Sequence, residues 1–252
     1  MNNDDSKGQQ TLIEKVLNRG ICVNCGACVG LCPYFNYWDG EVIALDACQA
    51  GTWKCLQYCP RADYEGTTLP DNDARGKGSI GPFEGIWAAR AADAESRELG
   101  QYGGVVSSLL IFAMKKDFIR SAVVTDSGND GLSPSGRLAK SPSDILECAD
   151  SRYATAGSLA ALNQAVKRGE DRIGVVGLPC QMEALARMAR SGPDAVEETR
   201  RVRLRIGLFC TWALDYRMLK TFLEARHIEG PVRKYNIPPP PAETFMLLMQ
   251  SG

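Results

Sequence analysis

Apolar residues recur at helical spacing in four segments, Val105–Lys116, Ser158–Lys167, Gln181–Arg190 and Tyr216–Arg226, and each predicts an amphipathic helix. Three short runs rich in β-branched residues lie among them: Ala122–Thr125, Ile173–Val176 and Val202–Phe209. They predict strands. Strands alternating with helices imply an α/β domain whose sheet is at least partly parallel. Upstream, Thr11 and Glu14 have the spacing of a capping box and Gly20 suits a stop, so a short helix is predicted over Thr11–Asn18. His227 is expected to close the last of the four helices, just before Gly230, where it would complement the helix dipole.

Other stretches follow neither period. From Cys22 to Pro60 the chain is dense in cysteine and aromatic residues. Such a segment is expected to lack an aliphatic core of its own, with bound metal supplying the cross-links. Residues 61–82 carry Leu69-Pro70-Asp71-Asn72-Asp73 and Gly76-Lys77-Gly78 and read as a linker. At the other end, Ile237-Pro238-Pro239-Pro240-Pro241 reads as a stiff extended spacer. It leads into Thr244–Met249, an apolar run of strand length for which no hairpin partner is evident. Such an edge is expected to pair with another chain or with a further C-terminal portion.

Composition narrows the chemistry. The chain has 252 residues with 44% apolar and 23% charged, ordinary for a globular protein. A net charge of −1 and a pI of about 6.0 give no drive toward nucleic acid. The run Arg200-Arg201-Val202-Arg203-Leu204-Arg205 is expected to be a solvated edge beside a strand. No segment reaches the ~18 apolar residues of a membrane span, and the polar N-terminus is unlike a secretory signal, so a cytoplasmic location is expected. Ten cysteines in a reducing compartment are read as metal ligands. A single histidine argues against histidine-based zinc or non-haem iron sites.

The spacing Cys22-x2-Cys25-x2-Cys28-x3-Cys32-Pro33 is the strongest signal. Three cysteines at intervals of three wrap one cubane, and in two-cluster ferredoxins the fourth ligates the other cluster. Structural zinc instead uses paired knuckles far apart. A second run, Cys48-x6-Cys55-x3-Cys59-Pro60, mirrors the first, with one extra residue and with Thr52 at the position of the missing central cysteine. Exchange of fourth ligands predicts a [4Fe–4S] cluster on Cys22, Cys25, Cys28 and Cys59. The second site, on Cys32, Cys48 and Cys55, holds three thiolates. It suits either a [3Fe–4S] cluster or a [4Fe–4S] cluster with a non-cysteine ligand. Residues 1–60 are thus expected to form a ferredoxin-like iron–sulfur domain, followed by the linker and an α/β domain over 83–252.

Gly100-Gln101-Tyr102-Gly103-Gly104-Val105-Val106-Ser107-Ser108 opens a predicted helix, where glycines permit close approach of a phosphate. It is neither GxGxxG nor a P-loop, and a glycine pair packing against a strand would look the same. Three further segments accompany it: Arg152-Tyr153-Ala154-Thr155-Ala156-Gly157-Ser158, Gly174-Val175-Val176-Gly177-Leu178-Pro179-Cys180-Gln181 and Ile206-Gly207-Leu208-Phe209-Cys210. Together the four resemble the beta subunit of coenzyme F-420-reducing hydrogenases and related dehydrogenases, over about residues 85–245. The resemblance implies an FAD-binding α/β domain with a [4Fe–4S] cluster near the flavin. It also implies hydride exchange with coenzyme F-420 or another donor or acceptor, and other redox subunits of a hydrogenase-, dehydrogenase- or reductase-type complex as partners. It maps flavin contacts to Gly103, Gly104, Val106, Ser107, Tyr153 and Thr155, and two cluster ligands to Cys180 and Cys210.

The residues themselves place Cys180 and Cys210 after short apolar strands, where ligands gather in open α/β sheets. Buried free thiols would look alike. Cys148 has no such support and is expected to be structural. Members of the family usually continue past the proline run with a strand pair and a close cysteine pair, so the α/β domain is expected to lack its C-terminal part. No nucleophile or general-base constellation stands out, which suits an oxidoreductase subunit whose cofactors carry the chemistry. A cluster-binding electron-transfer or assembly subunit without flavin remains the alternative.

Overall fold

The computed structural model describes residues 7–49, 53–62, 83–192, 198–238 and 244–249. Thr52, most of the expected linker (63–82) and part of the proline run (239–241) lie outside the described residues.

A four-stranded mixed sheet forms the centre, in the order β4-β3-β5-β6. Its strands are β3 (Ser121–Asp126), β4 (Ser135–Ala139), β5 (Ile173–Gly177) and β6 (Val202–Gly207). β3, β5 and β6 run parallel, and β4 is an antiparallel edge. Helices α4 (Val105–Lys115), α5 (Pro142–Glu147), α6 (Ser158–Lys167) and α7 (Pro179–Met188) cover both faces.

Strand alternation sorts the core into two halves. Val123, Ile173, Val175 and Val202 pack with Leu159, Leu162, Leu185 and Met188 of α6 and α7. Ala122, Val124, Val176, Leu204 and Ile206 pack with Leu110 and Ala113 of α4 and Ile145 of α5. A bulge where Val202 pairs with Ile173 and Leu204 with Gly174 sends these two β6 side chains to opposite faces. This is the mixed α/β, partly parallel sheet that the strand–helix alternation predicts.

Local signals fix the helix starts. Ser141 and Asp144 form a capping box with Pro142 in the first turn of α5. Asp93 caps α3 (Ala94–Leu99) by accepting from the Ser96 amide at 2.7 Å. Asp215 does the same for Arg217 in α8 (Tyr216–Ala225). His227 lies beyond the helix, in left-handed backbone at φ 54°. Its N–H bonds Glu224 O and that of Ile228 bonds Leu223 O, a Schellman closure. The expected helix-terminal histidine is therefore the residue that ends the helix by its backbone.

The cysteine-rich N-terminal segment departs from its expectation in two ways. Its helix α1 (Lys7–Leu12) starts ahead of Thr11 and continues as a π-helical turn over Ile13–Leu17, so Thr11 caps nothing. The Cys22–Pro60 stretch also contains regular structure: a hairpin of β1 (Phe35–Trp38) and β2 (Glu41–Ala44), and helix α2 (Lys54–Tyr58). Asp39 and Gly40, both at positive φ, form the two-residue turn. A small core of Leu12, Val16, Val29, Phe35, Val42 and Leu56 holds these pieces together. Its apolar residues are scattered too widely along the chain for any local period to reveal them.

This segment is seated on the α/β body. Asn163 of α6 donates to Ala27 O at 2.9 Å and to Val29 O at 2.7 Å. The Leu159 amide in the first turn of α6 donates to Cys25 O at 3.1 Å, and Arg187 of α7 donates to Ala62 O at 2.8 Å. The hairpin tip reaches α8, where the Tyr216 hydroxyl donates to Asp39 and Arg217 pairs with Glu41.

A second hairpin corrects the expectation for the tail. β8 (Met246–Met249) does form, but it pairs antiparallel with β7 (Val232–Asn236) of the same chain. β7 is interrupted by Arg233 and Lys234, which hid it from a hydrophobic pattern. Val232 and Tyr235 are buried with Leu132 and Leu223.

Candidate functional site

The cysteines fall into spatial groups. Cys22, Cys25 and Cys28 from the first run and Cys59, just past α2, line one small cavity together with Leu12, Val16 and Val42. Left-handed backbone at Asn24, Gly26 and Gly30 shapes the loop. The Asn24 side chain accepts from the Val42 amide at 3.0 Å, and its own N–H donates to Cys22 Sγ at 3.4 Å. Burial pushes the Cys25 and Cys28 thiols well up, and the neighbouring sulfurs add to it: Cys59, Cys180 and Cys22 for Cys25, and Cys25, Cys22, Cys59 and Cys55 for Cys28.

Beside this group, burial pushes the Cys55 thiol up to about 12, and the neighbouring Cys32 and Cys48 add to it. Gln9 fixes the Cys48 loop, accepting from its amide at 2.7 Å and donating to Asp46 O at 2.8 Å. Among the described residues, no group of three or more His, Cys, Asp or Glu side chains is close enough to hold a single metal ion.

Cys180 and Cys210 form the third group. Gly177 and Gly207 end adjacent parallel strands in register, and each cysteine follows three residues later. Burial and the charge of Cys210 raise the Cys180 thiol, and Cys180 in turn raises Cys22 and Cys25. Sulfurs thus run from Cys55, through the Cys22–Cys25–Cys28–Cys59 group and Cys180, to Cys210. Thiolate ligation by a metal would remove the burial cost that raises the Cys25, Cys28 and Cys55 thiols.

Cys210 also lines the main cavity, of about 840 Å³, within the usual size of a small-molecule site. The cavity lies at the carboxyl ends of the parallel strands: Val124 and Thr125 of β3, Val176 and Gly177 of β5, and Leu208 and Phe209 beyond β6. Gly104, Val105, Val106 and Ser107 bring the N-terminus of α4 to it. The first amides of an 11-residue helix are free for an anion there. An aromatic cluster closes another side. The Tyr153 ring lies 5.8 Å from Trp212 and 5.7 Å from Phe245, and Phe245 stacks on Tyr235.

Of the residues expected at a flavin, Gly104, Val106, Ser107 and Tyr153 line this cavity. Gly103 and Thr155 are outside the lining. Gly103 packs on Arg90, and Thr155 is engaged by the N-terminal hairpin through Tyr37 and Gly40. Packing gives a further reason for glycine at 104. Its φ is 65°, and a Cβ there would sit 1.9 Å from Ser96 O of α3, so the position is fixed by packing of α3 on α4. Cys148, expected to be structural, is buried and lines the cavity as well; burial and then Asp126 raise its thiol to about 11. Sequence reasoning missed Trp212 and Phe245, since lone aromatics in loops carry no periodic signal.

Profiles of the coenzyme F420 hydrogenase/dehydrogenase beta subunit match the chain over most of its length: the N-terminal one over residues 86–163 and the C-terminal one over residues 170–252. An uncharacterized protein of Methanocaldococcus jannaschii is 29% identical over 92% of this chain and 71% of its own length. The coenzyme F420-dependent sulfite reductase of the same organism is 27% identical over 89% of this chain and 36% of its own length. The coenzyme F420 hydrogenase subunit beta of Methanothermobacter thermautotrophicus is 30% identical over 57% of this chain and 52% of its own length. The chain therefore spans about half or less of these two named relatives. The F420-reducing [NiFe] hydrogenase complex from Methanosarcina barkeri contains a chain of similar fold, with a TM-score of 0.57 and 24% identity over 64% of this chain and 55% of that one.

Proposed function

The chain belongs to the coenzyme F420 hydrogenase/dehydrogenase beta-subunit family, and we propose that it is an iron–sulfur flavoprotein subunit of an oxidoreductase complex. One observation supports the reading: neighbouring sulfurs lead from the buried Cys55 and Cys25 of the N-terminal segment, through half-buried Cys180, to the exposed Cys210 on the wall of the main cavity. Residues 1–60 act as the ferredoxin-like iron–sulfur domain and 83–252 as the FAD-binding domain. Cys22, Cys25, Cys28 and Cys59 hold one [4Fe–4S] cluster. Cys32, Cys48 and Cys55 hold a second, of three or four irons. Cys180 and Cys210 contribute to a third.

When bound, the flavin supplies two-electron hydride chemistry and the clusters single-electron transfer. The protein's own residues position and insulate these groups. With the flavin bound, the α4 amides at Val105–Ser107 would receive its phosphates, and Tyr153, Trp212 and Phe245 would close the other side of the cavity against water. No side chain acts as nucleophile. The relatives' names support a complex of hydrogenase, dehydrogenase or reductase type as the setting and coenzyme F420 as a candidate substrate. Among the described residues no helix is long and apolar enough to cross a membrane.

The test is anaerobic purification with counts of iron, sulfide and flavin, for the wild type and for Cys25→Ser and Cys180→Ser. Wild-type protein should carry at least two clusters and one flavin. Cys25→Ser should lose about one cluster's iron and keep flavin. Cluster content unchanged in both variants would overturn the sulfur assignments. Absence of flavin from native and FAD-reconstituted protein would leave only the electron-transfer or assembly role.

A further inference from the structure

The second cysteine run is the less complete of the two, and the structure shows what holds its first member in place. Between Cys48 and Cys55 the chain carries no further cysteine, and Thr52 stands where the first run has its central one. A cluster here has one thiolate fewer with which to order the loop around itself. The loop has little packing of its own. Leu45, Asp46, Ala47 and Gln49 are exposed and lie beyond the end of β2. Its cysteine must nevertheless meet two others, since Cys32 and Cys48 both neighbour Cys55.

Gln9 of α1 bridges this gap. The residue is only 5% exposed, and both ends of its amide are engaged by the loop. Its Oε1 accepts from the Cys48 N–H at 2.7 Å, and its Nε2 donates to Asp46 O at 2.8 Å. A carboxamide is the side-chain counterpart of a peptide unit, and here it pairs with an N–H and a C=O two residues apart, as a neighbouring strand would. The helix that carries it is anchored in the core that holds the other two cysteines. Leu12 of α1 is buried with Cys55 and Leu56 of α2, and Cys32 packs against the same cluster. Helix α1 is thus a common frame for the three sulfurs, and Gln9 ties Cys48 to it.

We propose that Gln9 is the positioning residue of the second iron–sulfur site, holding the Cys48 backbone beside Cys32 and Cys55 in place of the order that a central cysteine gives the first run. The proposal rests on the reading of two clusters within residues 1–60 and adds the residue that organises the second.

The experiment follows the two clusters separately in full-length protein purified anaerobically. Electron paramagnetic resonance of oxidised and reduced samples distinguishes them: the first cluster gives the signal missing from Cys25→Ser, the second the signal missing from Cys55→Ser. Each protein is challenged with an iron chelator, and both signals are followed in time. Gln9→Leu keeps the bulk but offers the loop no polar partner. Gln9→Asn keeps the amide, one methylene too short to reach both loop groups. In each variant the second signal should decay about five- to twentyfold faster than in wild type, the range of one to two lost hydrogen bonds. The first signal should stay within about twofold of wild type. Gln10→Leu, which loses only an exposed bond to Glu14 on the same helix, should match wild type for both. Equal acceleration of both signals, or loss of both clusters in both Gln9 variants, means that Gln9 serves the whole segment and overturns the proposal. A second signal that decays at the wild-type rate overturns it as well. A wild type without any signal that depends on Cys55 overturns the two-cluster reading, and the role of Gln9 with it.

Discussion

Gly26, inside the first cysteine run, faces the start of α6, and alanine there should unseat the cysteine-rich segment. Two costs add. The backbone is at φ 82°, and an L residue in left-handed backbone costs roughly 1–2 kcal/mol. A Cβ would also lie 2.5 Å from Gly157 O, 2.8 Å from Gly157 C and 2.9 Å from Ala160 N. All three are main-chain atoms at the start of α6 and cannot rotate aside. Overpacking of this kind costs a further ~1–3 kcal/mol. Gly20 isolates the first term, since its φ is 64° and nothing lies within 4 Å of its Cβ position. Gly26→Ala should therefore be less stable than Gly20→Ala by about 2 kcal/mol. For a chain of this size that is a melting temperature lower by about 4–8 °C. Anaerobic thermal denaturation of the two variants beside wild type, with iron counted in each, measures the difference. If the two melt within about a degree of each other, the cysteine loop is not seated on α6 as described.

Two further outcomes are expected. Asn163→Leu strands the carbonyls of Ala27 and Val29, both of which accept from its Nδ2. It should destabilise the protein by about 2–4 kcal/mol, read as a lower urea midpoint, whereas a surface substitution such as Lys220→Ala should move it by less than about 0.5 kcal/mol. Cys148, raised from 9.0 to about 11, has about a hundredth of an ordinary thiol's thiolate fraction at pH 8. The greater nucleophilicity of a high-pKa thiolate recovers about tenfold of that. Alkylation measured by peptide mass spectrometry at pH 8 should therefore be at least tenfold slower than for an unperturbed thiol. Asp126→Asn should speed it, and a rate equal to that of a free thiol would contradict the buried environment.

What could be read from the chain divides along physical lines. The helices at Val105, Ser158 and Tyr216 appear within about a residue of their predicted bounds, because each buries one stripe, the first two against the central sheet and the third against the β7–β8 hairpin. The helix predicted from Gln181 begins two residues earlier, at Pro179, where proline is tolerated in the first turn. β4 and β7 were hidden because Arg137, Arg233 and Lys234 break their alternation. Cysteine spacing pointed to local loops, but the meeting of Cys180 with Cys22 and Cys25 depends on tertiary packing alone. The glycine pair opens α4 beside the main cavity, and Gly104 also accommodates Ser96 of a helix that the pattern did not predict.

The docking of the N-terminal segment bears on how a linker of some twenty residues should be understood. A cysteine-rich module joined by such a segment is easily pictured as a tethered bead that samples many positions. The buried contacts argue otherwise. Cys25, Ala27 and Tyr58 belong to the same apolar cluster as Val123, Val175 and Leu185 of the α/β body. Cys25 O receives the Leu159 amide, so the cysteine loop supplies part of the N-terminal cap of α6. Gly157 is itself crowded by Tyr37 of the hairpin, whose ring a Cβ would approach to 2.7 Å. Each side thus completes something the other lacks: the loop gains backbone partners, and α6 gains satisfied amides. The spacing between the first cysteine group and Cys180 is then set by α6 and α7 rather than by the linker. Insertions within 63–82 should leave that spacing intact, whereas a change where the cysteine loop meets α6, such as Gly26→Ala, alters it without replacing any cysteine.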